Sequence, residues 1–166
     1  MSRSSSDARL GKKERVDRTR ARSWATQVLY RWETDGADRP LLDVFEETLR
    51  VRRMASRRIP LVEGHLRRLS RHLEEVDQAL NRSLDNWRLD RLSMVDRSIL
   101  RLAASEILFD PQVPPRVALQ EGIRLAGQYG GSESSRFVNG VLDAILREHE
   151  GRDGSQGNPS STTRSP

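Results

Sequence analysis

Apolar residues recur every three or four positions in six successive segments of this chain, and proline or glycine residues interrupt the pattern between them. Over residues 18–35 this spacing places one set of apolar side chains on a single helix face: Ala21, Ala25, Val28, Leu29 and Trp32. Gly36 then ends the predicted helix. No segment alternates apolar and polar residues as a half-buried strand does, so the pattern predicts an all-α fold.

The same pattern predicts five further helices, and the fold is expected to contain six or seven in total, joined by short loops. The predicted segments are 40–54, 60–83, 93–109, 115–129 and a last helix capped by Ser132. In the second segment, the expected buried face consists of Leu42, Phe45 and Leu49. Ser93 precedes the fourth helix and has Asp96 three positions later, which is close to a capping box.

Composition divides the 166 residues into a folded middle and two polar ends. Residues 1–17 hold only four apolar residues, and residues 150–166 hold none. Such segments cannot bury enough apolar surface to offset the entropy lost on folding. We therefore predict a disordered basic N-terminal arm over 1–17, a folded helical domain over 18–149, and a disordered C-terminal tail over 150–166.

All of the excess positive charge lies at the N-terminus. The chain has a net charge of +5, and residues 1–23 alone carry eight basic and three acidic residues. This asymmetry favours a polyanionic partner, with a solvated tail as the alternative. A second basic cluster has no aromatic neighbours in the sequence and is interpreted as a solvated helix end or loop. It consists of Arg50, Arg52, Arg53, Arg57 and Arg58.

Several classes of protein lack support in this sequence. There is no cysteine, the three histidines form no recognisable metal-ligand pair, and no phosphate-binding glycine motif is present. No apolar run exceeds three residues, so no membrane span is expected. The chain is expected to be a cytoplasmic protein that is not an enzyme, with no metal, cofactor or small-molecule substrate.

Three segments carry a resemblance to a known family. They are RTRARSWATQVLYRWE (18–33), DRLSMVDRSILRLAASEIL (90–108) and VPPRVALQEGIRLAGQYGGSESSRFVNGVLD (113–143). In order and spacing they resemble the NusB family of bacterial transcription antitermination factors, and Phe-Val-Asn-Gly-Val-Leu-Asp is the most specific match. A similar helical domain begins ribosomal RNA cytosine methyltransferases, but a chain without cysteine is not expected to be that enzyme.

The resemblance implies an all-α bundle of two three-helix halves and a role in transcription. It implies binding to boxA RNA of ribosomal RNA leaders together with NusE, a small-subunit ribosomal protein. The complex would then join RNA polymerase with NusA and NusG. The alternative is a helical protein–protein adaptor in ribosome biogenesis that does not bind RNA directly.

Candidate RNA-binding residues lie at the start of the first helix and in the last helix. The family's arginine-rich segment falls on Arg18, Arg20 and Arg22, and guanidinium groups suit phosphate contacts. Arg136 and Phe137 form the cation and aromatic pair that single-stranded RNA recognition uses, although Phe137 could equally belong to the core.

The resemblance also assigns three residues to the region where RNA and NusE meet. Arg101 is a candidate RNA contact, and Tyr30 and Asp96 are candidate partner contacts. For Arg97 and Arg101, a surface ion pair is the alternative. Two pairs are expected to be structural: Glu106 and Glu121 in ion pairs or caps, and Asn139 and Gly140 in close helix packing or a side-chain hydrogen bond.

Overall fold

The computed structural model describes residues 3–155, and side chains from residue 11 onward. It contains six α-helices within that range: α1 (Arg3–Thr34), α2 (Leu41–Val51), α3 (Ile59–Ser83), α4 (Met94–Phe109), α5 (Pro115–Tyr129) and α6 (Ser134–Ser155). A short 3₁₀ turn at Leu89–Arg91 precedes α4. No described residue lies in a strand, and the predicted all-α fold is confirmed.

The helices form two three-helix halves around one core. In the first half α1, α2 and α3 pack against each other, and in the second α5 and α6 both pack against α4 and against one another. The central helix α4 also contacts α1 and α3, so it joins the halves. Gly122 allows the close approach inside the second half, because a Cβ there would lie 2.7 Å from Cδ1 of Leu142 and 3.1 Å from Cβ of Ala103.

The first helix begins much earlier than predicted. The sequence places its start at residue 18, whereas α1 runs without interruption from Arg3. Asp17 is buried and joins this helix to the fold, since its carboxylate accepts hydrogen bonds of 2.8 Å from Arg57 and from Arg58. These bonds to Arg58 and Arg57 hold the pKa of Asp17 below its usual value. The expectation for residues 1–2 lies outside the described part.

The C-terminal helix is also longer than predicted. The tail was expected from residue 150, but α6 continues to Ser155, and the expectation for residues 156–166 lies outside the described part. At the other end of the first helix, Gly36 adopts a φ of +96° in the turn that leads to α2. This left-handed conformation favours glycine, and the predicted stop at Gly36 is confirmed.

The buried faces follow the predicted stripes in α1, α3, α4 and α6, although Leu73 and Val95 are only partly buried, and they differ in α2. All five predicted core residues of α1 are buried, as are Val138, Val141, Leu142 and Ile145 of α6. In α2 the prediction is correct at Phe45 and wrong at Leu42 and Leu49, which are only partly buried. The other buried residues of this helix are Leu41, Val44 and Thr48. Thr48 belongs to that face because its hydroxyl donates to the carbonyl of Val44 at 2.8 Å.

The long helix α3 is kinked at His72, where φ is −116° and ψ is 18°. The ring of His72 stacks on Phe109 at the end of α4, with 3.9 Å between the ring centroids. Between residues 3 and 155 there is no helix that is both long enough and apolar enough to span a membrane.

Candidate nucleic-acid interface

Three arginines along α1 face solvent. Arg15, Arg18 and Arg20 are exposed, and none of them forms an ion pair with a side chain of residues 11–155. Arg15 and Arg18 border a cleft of 400 Å³ between α1 and the start of α5, next to Pro114. Unpaired guanidinium groups on a helix surface are suited to phosphate, since nothing in the described fold competes for them.

Arg22 lies one turn after Arg18 but is buried. Its Nη2 and Nε donate to the carboxylate of Glu106 on α4 at 2.5 Å and 3.0 Å, and its Nη1 lies 3.4 Å from Glu121 on α5. Burial by itself lowers the pKa of Arg22, but the hydrogen bonds and charges of Glu106 and Glu121 outweigh it and raise the pKa.

The sequence-based assignment of Arg22 to RNA therefore needs correction. A guanidinium that is 4% exposed and bonded on two edges by carboxylates has no free edge for a phosphate. The predicted structural ion pair of Glu106 is confirmed, and Arg22 is its partner. This pair ties α1 to the centre of the second half of the bundle.

Arg101 is also committed within the fold. It is bonded to Glu33 of α1, and its Nε donates to Asp77 of α3 at 2.9 Å. Arg97 donates to the other oxygen of Glu33 at 2.5 Å. The guanidinium of Arg101 also lies 5.8 Å from the ring centroid of Trp32.

The assignment of Arg101 to RNA is corrected for the same reason as that of Arg22. Its side chain is only 12% exposed, and carboxylates from two other helices occupy its donors. The alternative of a surface ion pair on α4 is also wrong, because both partners come from α1 and α3 and the network is mostly buried.

Asp96 stands in the first turn of α4. Its backbone N–H donates to Oγ of Ser93 at 3.1 Å, so the predicted cap is present. The carboxylate does not complete the reciprocal part of a capping box, and its buried Oδ1 has no hydrogen-bond donor among the described residues. Asp96 is partly buried and borders a groove that also contains Phe137.

The last helix presents an aromatic and a cation side by side. Phe137 is partly buried: one side packs on the core and the other lines the groove beside Asp96. Arg136 is exposed, and no carboxylate of residues 11–155 pairs with it. This position agrees with both interpretations of Phe137, as a core residue and as a platform on which a base stacks.

Two neighbours of Phe137 differ from expectation. Gly140 is exposed, and a Cβ placed there would meet no atom within 4 Å, so its predicted role in close packing is wrong. Asn139 is exposed as well, and its side chain makes no hydrogen bond within the described part of the chain. Asn139 and Gly140, on the exposed side of this motif, therefore take no part in side-chain hydrogen bonding or close packing within the described residues.

Tyr30 borders a second cleft, on the other side of the α4 N-terminus. Its side chain is 44% exposed and lines a volume of 300 Å³ together with Val95 and Tyr129. Arg52 closes this cleft, donates to Gln27 at 2.8 Å, and stacks 4.5 Å from the ring centroid of Trp24.

The second basic cluster lies at the end of α2 and in the loop after it, as predicted, and four of its five arginines are exposed: Arg50, Arg52, Arg53 and Arg57. Arg52 stacks on an aromatic ring, and Arg57 and Arg58 bind Asp17. Local sequence could not reveal these partners, because they all come from α1, distant along the chain. Tyr30, Asp96 and Phe137 meet around the first turn of α4, whereas Arg18 and Arg20 line neither of the two clefts there.

The fold and its clefts define a class of protein: an all-α bundle of two three-helix halves, with unpaired arginines and accessible aromatic side chains on its surface. The chain belongs to the NusB family, whose family model matches residues 19–147. Relatives of this chain include proteins described as transcription antitermination proteins.

Two relatives illustrate the match. The transcription antitermination protein NusB of Methylacidiphilum infernorum is 35% identical over 136 residues, covering 80% of this chain and 92% of that protein. The NusB protein of Anaeromyxobacter dehalogenans strain 2CP-1 is 41% identical over 130 residues, covering 77% and 89%. The resemblance found in the sequence is thereby confirmed.

Solved structures agree. NusB of T. maritima matches with a TM-score of 0.73 and 33% identity, covering 84% of this chain and 96% of that one. A crystal structure of the antitermination factors NusB and NusE in complex with double-stranded RNA matches with a TM-score of 0.70 and 28% identity, covering 80% and 97%.

Proposed function

We propose that this protein binds boxA RNA of ribosomal RNA leaders together with NusE and acts in transcription antitermination. The observation that carries the proposal is that the arginines of α1 have different surroundings. Arg22 is buried in an ion pair, whereas Arg15, Arg18 and Arg20 are exposed and unpaired within the described part. Its support from outside the chain is the similar NusB in complex with NusE and RNA.

The proposed RNA contacts come from two helices. Arg18 and Arg20 of α1, with Arg136 of α6, bind phosphates, because each offers an exposed guanidinium without a carboxylate partner in residues 11–155. Phe137 stacks on a base with the side that lines the groove. Arg22 and Arg101 act indirectly, since their ion pairs hold α1, α3, α4 and α5 in place behind this surface.

The proposed NusE contacts lie around the first turn of α4. Tyr30 offers an exposed ring with a hydroxyl, and its cleft is mostly apolar at Val95. Asp96 lies between this cleft and the groove of Phe137, so it stands where protein and RNA would meet. On family grounds, the resulting complex joins RNA polymerase with NusA and NusG in the cytoplasm.

A gel shift with a boxA-like RNA, with and without NusE, tests the proposal. Wild-type protein should bind the RNA, and NusE should strengthen the complex. The double variant Arg18→Gln, Arg20→Gln should bind weakly, because phosphate contacts provide much of the affinity. Arg71→Gln is the matched control, since Arg71 is an exposed arginine of α3 that lines none of these clefts.

Two results would contradict the proposal. Wild-type protein that binds NusE but no RNA would favour the adaptor without direct RNA binding. Equal binding by wild type, the double variant and Arg71→Gln would remove the α1 arginines from the RNA site. Asp96→Ala should weaken the NusE complex with little change in Tm, and a large loss of Tm with full NusE binding would leave the Asp96 side chain with a structural role only.

A further inference from the structure

An exposed tryptophan, Trp87, lines the same groove as Phe137. Trp87 is 60% exposed, although it lies in a short connection between helices where a small polar residue would suffice. The groove has a volume of 460 Å³ and is formed by the segment 87–93, the first turn of α4 and the connection between α5 and α6. Its lining is predominantly apolar, and its apolar side chains are Trp87, Leu92 and Phe137.

Nothing in the described fold accounts for this exposure. Trp87 is absent from the core and from the residues packed against it. A large exposed aromatic beside an apolar groove commonly marks a binding site. The volume of the groove is within the range of pockets that enclose small organic groups.

We propose that this groove receives one unstacked nucleobase of a single-stranded RNA, with Trp87 as the stacking platform and Phe137 as the opposite wall. The inference rests on the proposed RNA-binding function and adds to it a specific base site. Aromatic side chains that line a groove are how proteins hold splayed-out bases of single strands.

Charges of both signs surround the groove, since Asp96 and Glu133 line it beside Arg91. Arg91 lines the groove and Arg136 adjoins it; both are exposed, and neither pairs with a carboxylate of residues 11–155. They can hold the phosphates on either side of a stacked base. An apolar peptide side chain would make no use of two guanidinium groups at the rim.

The groove also contains an acceptor for the edge of a base. Asp96 lines it, and the Oδ1 atom of this carboxylate has no donor among the described residues. Leaving a carboxylate oxygen buried without a donor costs free energy, so a ligand that supplies an N–H group is favoured. The amino groups of bases are donors of this kind.

The test combines protein variants with RNAs that lack one base at a time. A single-stranded boxA-like RNA and its abasic variants are titrated against wild type, Trp87→Ala and Trp87→Phe. Trp87→Ala should bind the intact RNA roughly tenfold more weakly. Trp87→Phe should keep most of the affinity, because it keeps an aromatic face. One abasic position should weaken wild type to a similar extent and leave Trp87→Ala unaffected.

Two further readouts separate stacking from other effects. The salt dependence of binding should be the same for wild type and Trp87→Ala, since a stacking contact neutralises no phosphate. The Tm should not change, because Trp87 is exposed and outside the core. Trp87→Ala with wild-type RNA affinity, or an abasic penalty that persists in Trp87→Ala at every position, would overturn the base site.

The outcomes also distinguish the base site from the function on which it rests. If Arg18→Gln, Arg20→Gln weakens RNA binding and Trp87→Ala does not, the base site fails and the proposed function stands. If wild type binds no RNA, both fail. If Trp87→Ala keeps RNA binding but loses NusE, the groove is a protein contact and the inference is wrong.

Discussion

At the scale of the residue, Arg18 and Arg22 lie one helical turn apart on α1 and have opposite surroundings. Arg18 is exposed and borders an open cleft, whereas Arg22 is 4% exposed and bonded to Glu106. Removing one partner of a buried pair leaves an uncompensated charge, which is costly, while removing an exposed arginine costs little stability. Disrupting the ion pair of Arg22 should therefore lower stability, whereas removing the charge of Arg18 should lower RNA affinity with little effect on stability.

Glu106→Gln should destabilise the protein by about 3–5 kcal/mol, because Arg22 keeps its charge and loses its main partner. Urea denaturation of Glu106→Gln and wild type gives the difference in the free energy of unfolding. Glu133→Gln is the control, since that glutamate is exposed and makes no ion pair within the described residues. Equal stability of Glu106→Gln and wild type would show that the pair contributes nothing to the fold.

His65 gives the fold a pH dependence that begins near pH 6.5, above the range in which carboxylates titrate. Burial, together with the charges of Arg68 and Arg22, lowers the pKa of His65 to about 3, and the opposing charge of Asp110 is a smaller effect. Below the ordinary pKa of 6.5, the unfolded chain binds a proton that the folded chain does not. Stability therefore falls as the pH falls from 6.5 towards 3.

The expected loss is about 1.4 kcal/mol per pH unit, or about 2 kcal/mol between neutral pH and about pH 5. Chemical denaturation at several pH values measures it. His65→Gln should be nearly flat over the same interval, because glutamine does not titrate. The same slope in His65→Gln as in wild type would assign the pH dependence to other groups.

At the scale of the element, α6 carries a glycine that its own packing does not need. Gly140 lies in the middle of the helix and has free space where a Cβ would be. Gly122 of α5 is the contrasting case, since a Cβ there would lie 2.7 Å from Leu142 and 3.1 Å from Ala103. The same substitution should therefore have opposite effects in the two helices.

Gly140→Ala should stabilise the protein by about 0.5–1 kcal/mol, because alanine is the better helix former. Gly122→Ala has the same gain, but overpacking costs about 1–3 kcal/mol, and a net loss is expected. Thermal denaturation of both variants measures the difference in Tm. A loss of stability in Gly140→Ala would mean that its exposed position has a structural role after all.

The sequence predicts these elements well where packing follows local pattern and poorly where it depends on distant partners. The core face of α1 follows from apolar periodicity, and the bounds of α3, α4 and α5 follow from local pattern that includes the flanking serine, proline and glycine residues. The start of α1 does not, because residues before 18 have no apolar stripe and Asp17 is held by arginines some forty residues away. A periodic pattern shows which face is apolar, and it cannot show which arginine finds a buried carboxylate.

The candidate site shows the same limit. The resemblance directs attention to Arg18, Arg20, Arg22 and Arg101 alike, since all four are arginines in matching segments. The four arginines differ only in their partners. Arg22 pairs with Glu106 and Arg101 pairs with Glu33, each from another helix, and these two arginines are withdrawn from the surface. Trp87 had no signal beyond its residue type, because its exposure depends on how the connection before α4 lies on the fold.

At the scale of the whole molecule, charge and fold are linked through α1. The exposed arginines Arg15, Arg18 and Arg20 belong to the same helix as Asp17, Ala21 and Arg22, which are buried in the bundle. Deleting residues 1–22 would therefore remove core and ion pairs together with the basic surface. Substitution is the way to remove charge without loss of structure.

RNA affinity should fall steeply with salt, and each phosphate contact should contribute about −0.7 to the slope of log affinity against log salt concentration. The double variant Arg18→Gln, Arg20→Gln should flatten this slope by about 1.4 relative to wild type, because two contacts are lost. Fluorescence anisotropy with a boxA-like single strand, at salt concentrations between about 50 and 200 mM, measures both slopes. Arg71→Gln should retain the wild-type slope, since its arginine lies on α3 away from the clefts. A double variant that binds more weakly but with an unchanged slope would mean that Arg18 and Arg20 support the RNA surface without touching phosphate.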